Sequence, residues 1–174
     1  MVTTAGELEA LCSETGLDRD VSALMRDEHD RYRFYTEVIA LAPPPGDAAL
    51  MSVFLRDPDP VMGESAALQF VAKKAGQQSS YAAFTSWAQT VSDITSDRDF
   101  LSRRIREWSE FKRIMEGGSI DDEFFDASSD WLQRKLSEEL TSEEPLAKLA
   151  ELGRTKRIRN TSQQRLRDIG CRRS

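Results

Sequence analysis

The chain has 174 residues, 39% hydrophobic and 31% charged, with a net charge of −6. That is enough for a soluble helical domain that folds without a disulfide or a metal. The apolar runs are too short for a transmembrane helix, and the start, MVTTAGELEAL, lacks the basic and apolar stretches of a signal peptide, so a cytoplasmic location is expected.

In chain order, Thr4 and Glu7 form a capping-box pattern, and Gly16 ends the helix they open. Asp18 is expected to cap a longer helix, with Val21, Leu24, Met25, Tyr32, Tyr35, Val38, Ile39 and Ala42 at a 3.6 period, stopped by Pro43-Pro44-Pro45-Gly46. Asp47 is expected to cap a short helix carrying Leu50, Met51, Phe54 and Leu55. Asp59 caps the next, with Pro60 at its first position and Gly76 at its end. Ser79 or Ser80 opens a helix with Tyr81, Phe84, Trp87 and Val91. Ser96 with Asp99 opens another, striped by Leu101, Ile105, Trp108, Phe111 and Met115 and closed by Gly117-Gly118.

Ser119 with Asp122 begins a stretch through Phe125, Leu132, Leu136 and Leu140, which Ser128-Ser129 can interrupt. Ser142 is expected to cap a last core helix with Leu146, Leu149 and Leu152, ending at Gly153. A basic helix from Thr161 to Ile169 is weaker. No segment alternates with period 2 as a strand would. The expected fold is therefore all-α, with eight or nine helices, in a helical domain over 1–153 and a basic C-terminal segment over 154–174. The expected core includes Leu50, Phe54, Leu68, Val71, Trp87, Leu101, Ile105, Trp108, Leu132 and Leu136.

From Asp47 onward the helices pair as hairpins spaced by 30–40 residues, roughly the period of helical repeats. Residues 47–76 resemble a HEAT-like repeat. The turn is Asp57-Pro58-Asp59-Pro60, followed by Val61 and the small run Ser65-Ala66-Ala67. A weaker copy is suggested at 129–153 by Pro145, Leu146, Ala147 and Ala150. The family's arginine after the valine is Met62 here, so its usual Asp–Arg pair across the turn is missing. The resemblance implies an irregular α-solenoid or multi-helix bundle, and a family known mostly for scaffolding and partner binding.

Signals for chemistry are few. His29 has Met25 and Arg33 at the positions one turn away, so no second ligand flanks it. Asp27 with Arg31 and Arg33 with Glu37 read as surface ion pairs. Cys12, on a stripe with Leu8 and Leu11, reads as a core thiol, and Cys171 as an exposed one. Trp87, Trp108 and Trp131 read as core aromatics. No phosphate loop, nucleophile elbow, C-x-x-C or H-E-x-x-H motif occurs, and no cofactor or metal is expected. Arginine outnumbers lysine 18 to 6, as in proteins from GC-rich bacterial genomes.

Charge is distributed unevenly. Residues 151–174 hold eight bases and two acids, and the other 150 residues carry −12. The acids Asp121, Asp122, Asp126, Asp130, Glu138 and Glu139 are the candidate face for a basic protein partner. Arg154, Lys156, Arg157, Arg159, Arg165 and Arg167 can contact nucleic-acid phosphates, fold back on the acidic body, or form a solvated, partly disordered end. The leading expectation is a non-enzymatic protein-interaction module, a scaffold or a toxin-neutralising protein of the immunity type. A nucleic-acid binder comes second. A HEAT-like DNA glycosylase is disfavoured, because it needs a basic concave face.

Overall fold

Eleven helices account for about four-fifths of residues 2–41 and 46–173, which the computed structural model describes, and no strand occurs among them. The expected stop at Pro43-Pro44-Pro45, with Ala42, lies outside the described residues. The chain divides into two compact units, Met1–Ile105 and Arg106–Ser174.

Unit 1 holds α1 (Ala5–Thr15), α2 (Val21–Arg26), α3 (Glu28–Ala40), α4 (Asp47–Leu55), α5 (Pro60–Gln77), α6 (Tyr81–Thr95) and the start of α7 (Asp99–Met115). The Thr4–Glu7 capping box forms as expected, with Gly16 left-handed at φ 69° after the last turn. The long helix expected after Asp18 is two helices. Asp20 caps α2 and Asp27 caps α3, because the backbone at Asp27 is extended and its carboxylate takes the His29 and Asp30 N–H groups.

The core of unit 1 is a relay of aromatic rings crossing four helices. Tyr35 of α3 meets Phe54 of α4 at 4.9 Å, Phe54 meets Phe70 of α5 at 6.0 Å, and Phe70 meets Trp87 of α6 at 6.1 Å. Each contact is edge-to-face, the arrangement the ring quadrupoles favour. Leu68, expected in the core, is only half-buried. The inward stripe of α5 is Gly63, Ala66, Ala67, Phe70 and Val71, one step round the helix. Gly63 sits where any Cβ would run into the Phe54 carbonyl oxygen and lie 2.9 Å from Asp57 Cβ, so α4 and α5 approach at a point only glycine allows.

The turn before α5 is fastened from elsewhere in the chain. Arg31 of α3 grips Asp57 with two bonds, Nε at 2.8 Å and Nη2 at 3.0 Å, and gives Nη1 to the Leu24 carbonyl. Tyr35 Oη donates to Asp57 at 2.8 Å, and the Asp59 N–H at 2.7 Å. The ion pair is shut away from water, with side chains 4% and 0% exposed. Hydrogen bonding to Asp57 raises the Arg31 pKa further, and burial raises that of the Tyr35 phenol, so both stay donors. Arg31 is thus not the surface partner of Asp27, and Arg33 pairs with Asp30 while Glu37 pairs with Arg19. The aspartate whose expected arginine is missing from α5 has found one 26 residues upstream.

Unit 2 holds the rest of α7, then α8 (Asp122–Ala127), α9 (Asp130–Glu139), α10 (Glu143–Leu152) and α11 (Lys156–Arg173). The break at Ser128-Ser129 occurs as expected, with Ser129 capping α9. Ser142 stands at the start of α10 but makes no side-chain cap bond. The core joins Phe111, Ile114, Ile120, Phe124, Leu132, Leu136, Leu140, Leu146, Leu149 and Ile158. Trp108 and Trp131, both expected inside, are half-buried against this cluster. The basic segment is an 18-residue helix, longer than the stretch from Thr161 to Ile169 that its sequence suggested. It lies on α9 and α10, burying Ile158 and packing Leu166 and Ile169 on the core.

Candidate interaction surface

The acids and bases singled out in the sequence meet in unit 2. Before Arg154 the unit holds thirteen acids and six bases, and from Arg154 on eight bases and one acid. Unit 2 is therefore neutral, and the −6 of the chain resides in unit 1, with sixteen acids and ten bases.

Arg154 is the clasp. Its backbone N–H donates to Gln133 Oε1 at 2.8 Å, and Nη2 donates to the Phe125 and Asp126 carbonyls at 3.2 and 3.4 Å. Its Nε lies 3.6 Å from Asp130. Gln133 is fully buried and also donates to Ser128 Oγ at 2.9 Å. One amide thus ties the α8–α9 junction to the segment between α10 and α11. A buried side chain with both ends engaged is costly to replace.

Two more of the expected phosphate-binding arginines are committed to backbone. Arg159 donates to the Gly153 carbonyl at 2.6 Å, and Arg165 donates twice to the Leu140 carbonyl, at 3.2 and 2.7 Å, finishing the C-terminus of α9. Lys156, Arg157 and Arg167 remain exposed, with no ion pair among the described residues.

The acids divide in the same way. Asp121 caps α8 by accepting from the Phe124 N–H at 2.9 Å. Asp130 faces Arg154, and Glu139 faces Lys135 at 2.5 Å. Glu138 is exposed on α9. Asp122, Glu123 and Asp126 are exposed on α8 with no ion pair among the described residues. Glu123 completes this ridge, three residues and so about one helical turn before Asp126. Asp47, expected as a cap, is instead the first residue of α4 with Gly46 ahead of it, and its carboxylate is occupied in unit 1, where Lys74 pairs with it at 2.8 Å and Trp87 Nε1 donates to it at 2.9 Å.

No protein-family model, curated protein or solved structure matches this chain.

Beside the ridge, Trp108, Trp131 and Phe111 form a ring cluster, with Trp108 to Trp131 at 5.2 Å. Lys135 Nζ stands 4.6 Å from the Trp108 ring centre and 4.8 Å from that of Phe111. A cleft of about 230 Å³ opens next to it, lined by Asp130, Trp131, Arg134, Thr155, Arg157 and Ile158. A second cleft, of about 500 Å³, lies between the α7–α8 turn and the start of α10, where Lys148 Nζ is held by the Ile120 carbonyl.

The other titratable features serve the fold. His29 is exposed beside Asp27 and Glu28 at 3.7 and 3.5 Å, and the Asp27 carboxylate is already held below its ordinary pKa by the two N–H groups it caps. Cys12, expected in the core, is half-buried, and burial pushes its thiol up, while Cys171 is exposed. Lys73 closes the end of α3 by donating to the Ile39 and Leu41 carbonyls, and burial, then the Lys74 charge, lowers its pKa.

Proposed function

We propose that the chain is a non-enzymatic protein-interaction module that docks a basic partner protein on the α8 ridge, as a scaffold or a toxin-neutralising protein of the immunity type. The observation that supports this reading is the contrast among its acids. Asp130 and Glu139 are neutralised within the chain, whereas Asp122, Glu123 and Asp126 present three carboxylates on one short helix with no ion pair among the described residues. Unpaired like charges in one turn repel each other and cost stability, and a basic partner removes that cost on docking. The HEAT-like reading of residues 47–76 agrees with such a role by analogy alone.

The test compares oligolysine binding to the parent with binding to two charge reversals of equal size, Asp122→Lys/Asp126→Lys on the ridge and Glu9→Lys/Glu14→Lys on unit 1. The ridge variant should lose roughly tenfold in affinity at low salt, and the unit 1 variant much less. Equal losses from the two variants would refute the assignment of the ridge.

A further inference from the structure

We propose that the cleft beside the ridge is the anchor pocket for the same partner. It takes one aromatic or aliphatic side chain of the docking segment onto Trp131 and Ile158, and pairs an adjacent carboxylate with Arg134 and Arg157. This rests on the proposed docking of a basic protein and specifies the segment that docks.

Size argues for a single side chain. Pockets for drug-sized ligands run from roughly 300 to 1,000 Å³, and this one is about 230 Å³. Composition argues for a protein. Tryptophan and arginine are the residues that most often carry binding energy in protein interfaces, and anchors sit in small pockets ringed by polar groups. Ile158 is 2% exposed and forms a fixed apolar floor, while Trp131 is braced by Trp108. The pocket is therefore preformed, and little ordering cost falls on binding.

Charge selects the class of partner. Arg134 and Arg157 are exposed at the cleft with no ion pair among the described residues, so they suit an anion. Asp130 lines the same cleft, and the ridge joins it through Arg154, which holds both Asp130 and the Asp126 carbonyl. A polyanion such as nucleic acid would meet these acids along its path. A peptide of alternating character, with bases over α8 and then an anchor and an acid over the cleft, meets opposite charge at each step.

The experiment uses the full chain and two peptides, six lysines around a central Phe-Glu pair and the same with Ala-Glu, titrated by calorimetry. The Phe-Glu peptide should bind about tenfold more tightly and perturb the tryptophan emission. That gap should shrink to about twofold in Trp131→Ala, and changing the peptide's glutamate to glutamine should weaken binding to the parent but not to Arg134→Gln/Arg157→Gln, whose exposed positions leave the fold intact by circular dichroism. Equal binding of the two peptides, with Asp122→Lys/Asp126→Lys weakening both, would sink the anchor pocket and leave the ridge standing. A persistent gap with a silent ridge variant would sink the ridge and keep the pocket. A single-stranded oligonucleotide that bound more tightly than either peptide, and lost that binding in the arginine variant, would overturn the choice of a protein partner.

Discussion

Replacing Asp57 with asparagine keeps the shape of the side chain and removes its charge. The carboxylate accepts four hydrogen bonds, two from Arg31, one from Tyr35 and one from the Asp59 N–H. Asparagine offers one oxygen, and its amide N–H₂ would face donors. Arg31, with its side chain 4% exposed, would then hold a full charge with no counterion. Breaking one side of a buried pair costs about 3–5 kcal/mol. For a unit of this size that is a fall of roughly 15 °C in melting temperature. Asp59→Ala in the same turn removes only the cap bonds to the Val61 and Met62 N–H groups and should cost about 1 kcal/mol. Because the chain has two units, the assay should read amide hydrogen exchange at buried unit 1 positions such as Phe54 and Phe70. The double variant Arg31→Met/Asp57→Asn should cost less than the sum of its singles by about 2 kcal/mol, since the stranded charge is gone. If Asp57→Asn cost less than about 1 kcal/mol, or the two changes simply added, the pair would not be fastening the turn.

Gly63→Ala should destabilise by about 1–3 kcal/mol in thermal melts, although alanine is the better helix former, because the added methyl meets the α4 backbone. An unchanged or raised melting temperature would show that α4 and α5 have room to part. Glu7 accepts the Thr4 N–H and pairs with Arg56, and these contacts hold its pKa below 4.5 in the folded chain. Its contribution is therefore complete above that value and fades as pH drops through the lowered one, so parent and Glu7→Gln melting curves should converge in acid and separate near neutrality. Gln133→Leu should cost about 2–3 kcal/mol by stranding the Arg154 N–H and Ser128 Oγ, measured by urea titration of unit 2 amides.

What could be read from the sequence was local. The Thr4–Glu7 box, the Asp59–Pro60 start and the Ser128-Ser129 break all depend on residues within four positions of each other, and all three appear in the structure. The break at Asp27 was hidden because the apolar stripe runs through it with unbroken period, while the capping acid looks like one more surface charge. Arg31 was assigned to Asp27 for the same reason. Neighbours in sequence were weighed, and the true partner lies 26 residues on. In α5 the small residues mattered more than the large ones, so the inward stripe follows Gly63, Ala66 and Ala67 rather than Leu68. For the candidate surface, the sequence showed opposite charge in two segments but not which charges cancel. Arg154 and Asp130 do, Asp122 and Asp126 do not, and only the path of the chain past Gly153 decides between them.

That path also sets an order of events during synthesis. The core of unit 2 is closed by Ile158, with Leu166 and Ile169 behind it, and the buried Gln133 is completed by the Arg154 N–H. Arg154, Ile158, Leu166 and Ile169 are all translated after α8, α9 and α10. While the chain has been made only as far as Gly153, unit 2 carries a −7 imbalance and an apolar face with nothing over it. Like charges then keep neighbouring nascent chains apart, and α11 supplies both the cover and the countercharge in one step as it emerges. A stop codon placed near Gly153 would therefore leave an acidic, open-cored fragment, better suited to capture by a chaperone than to folding by itself.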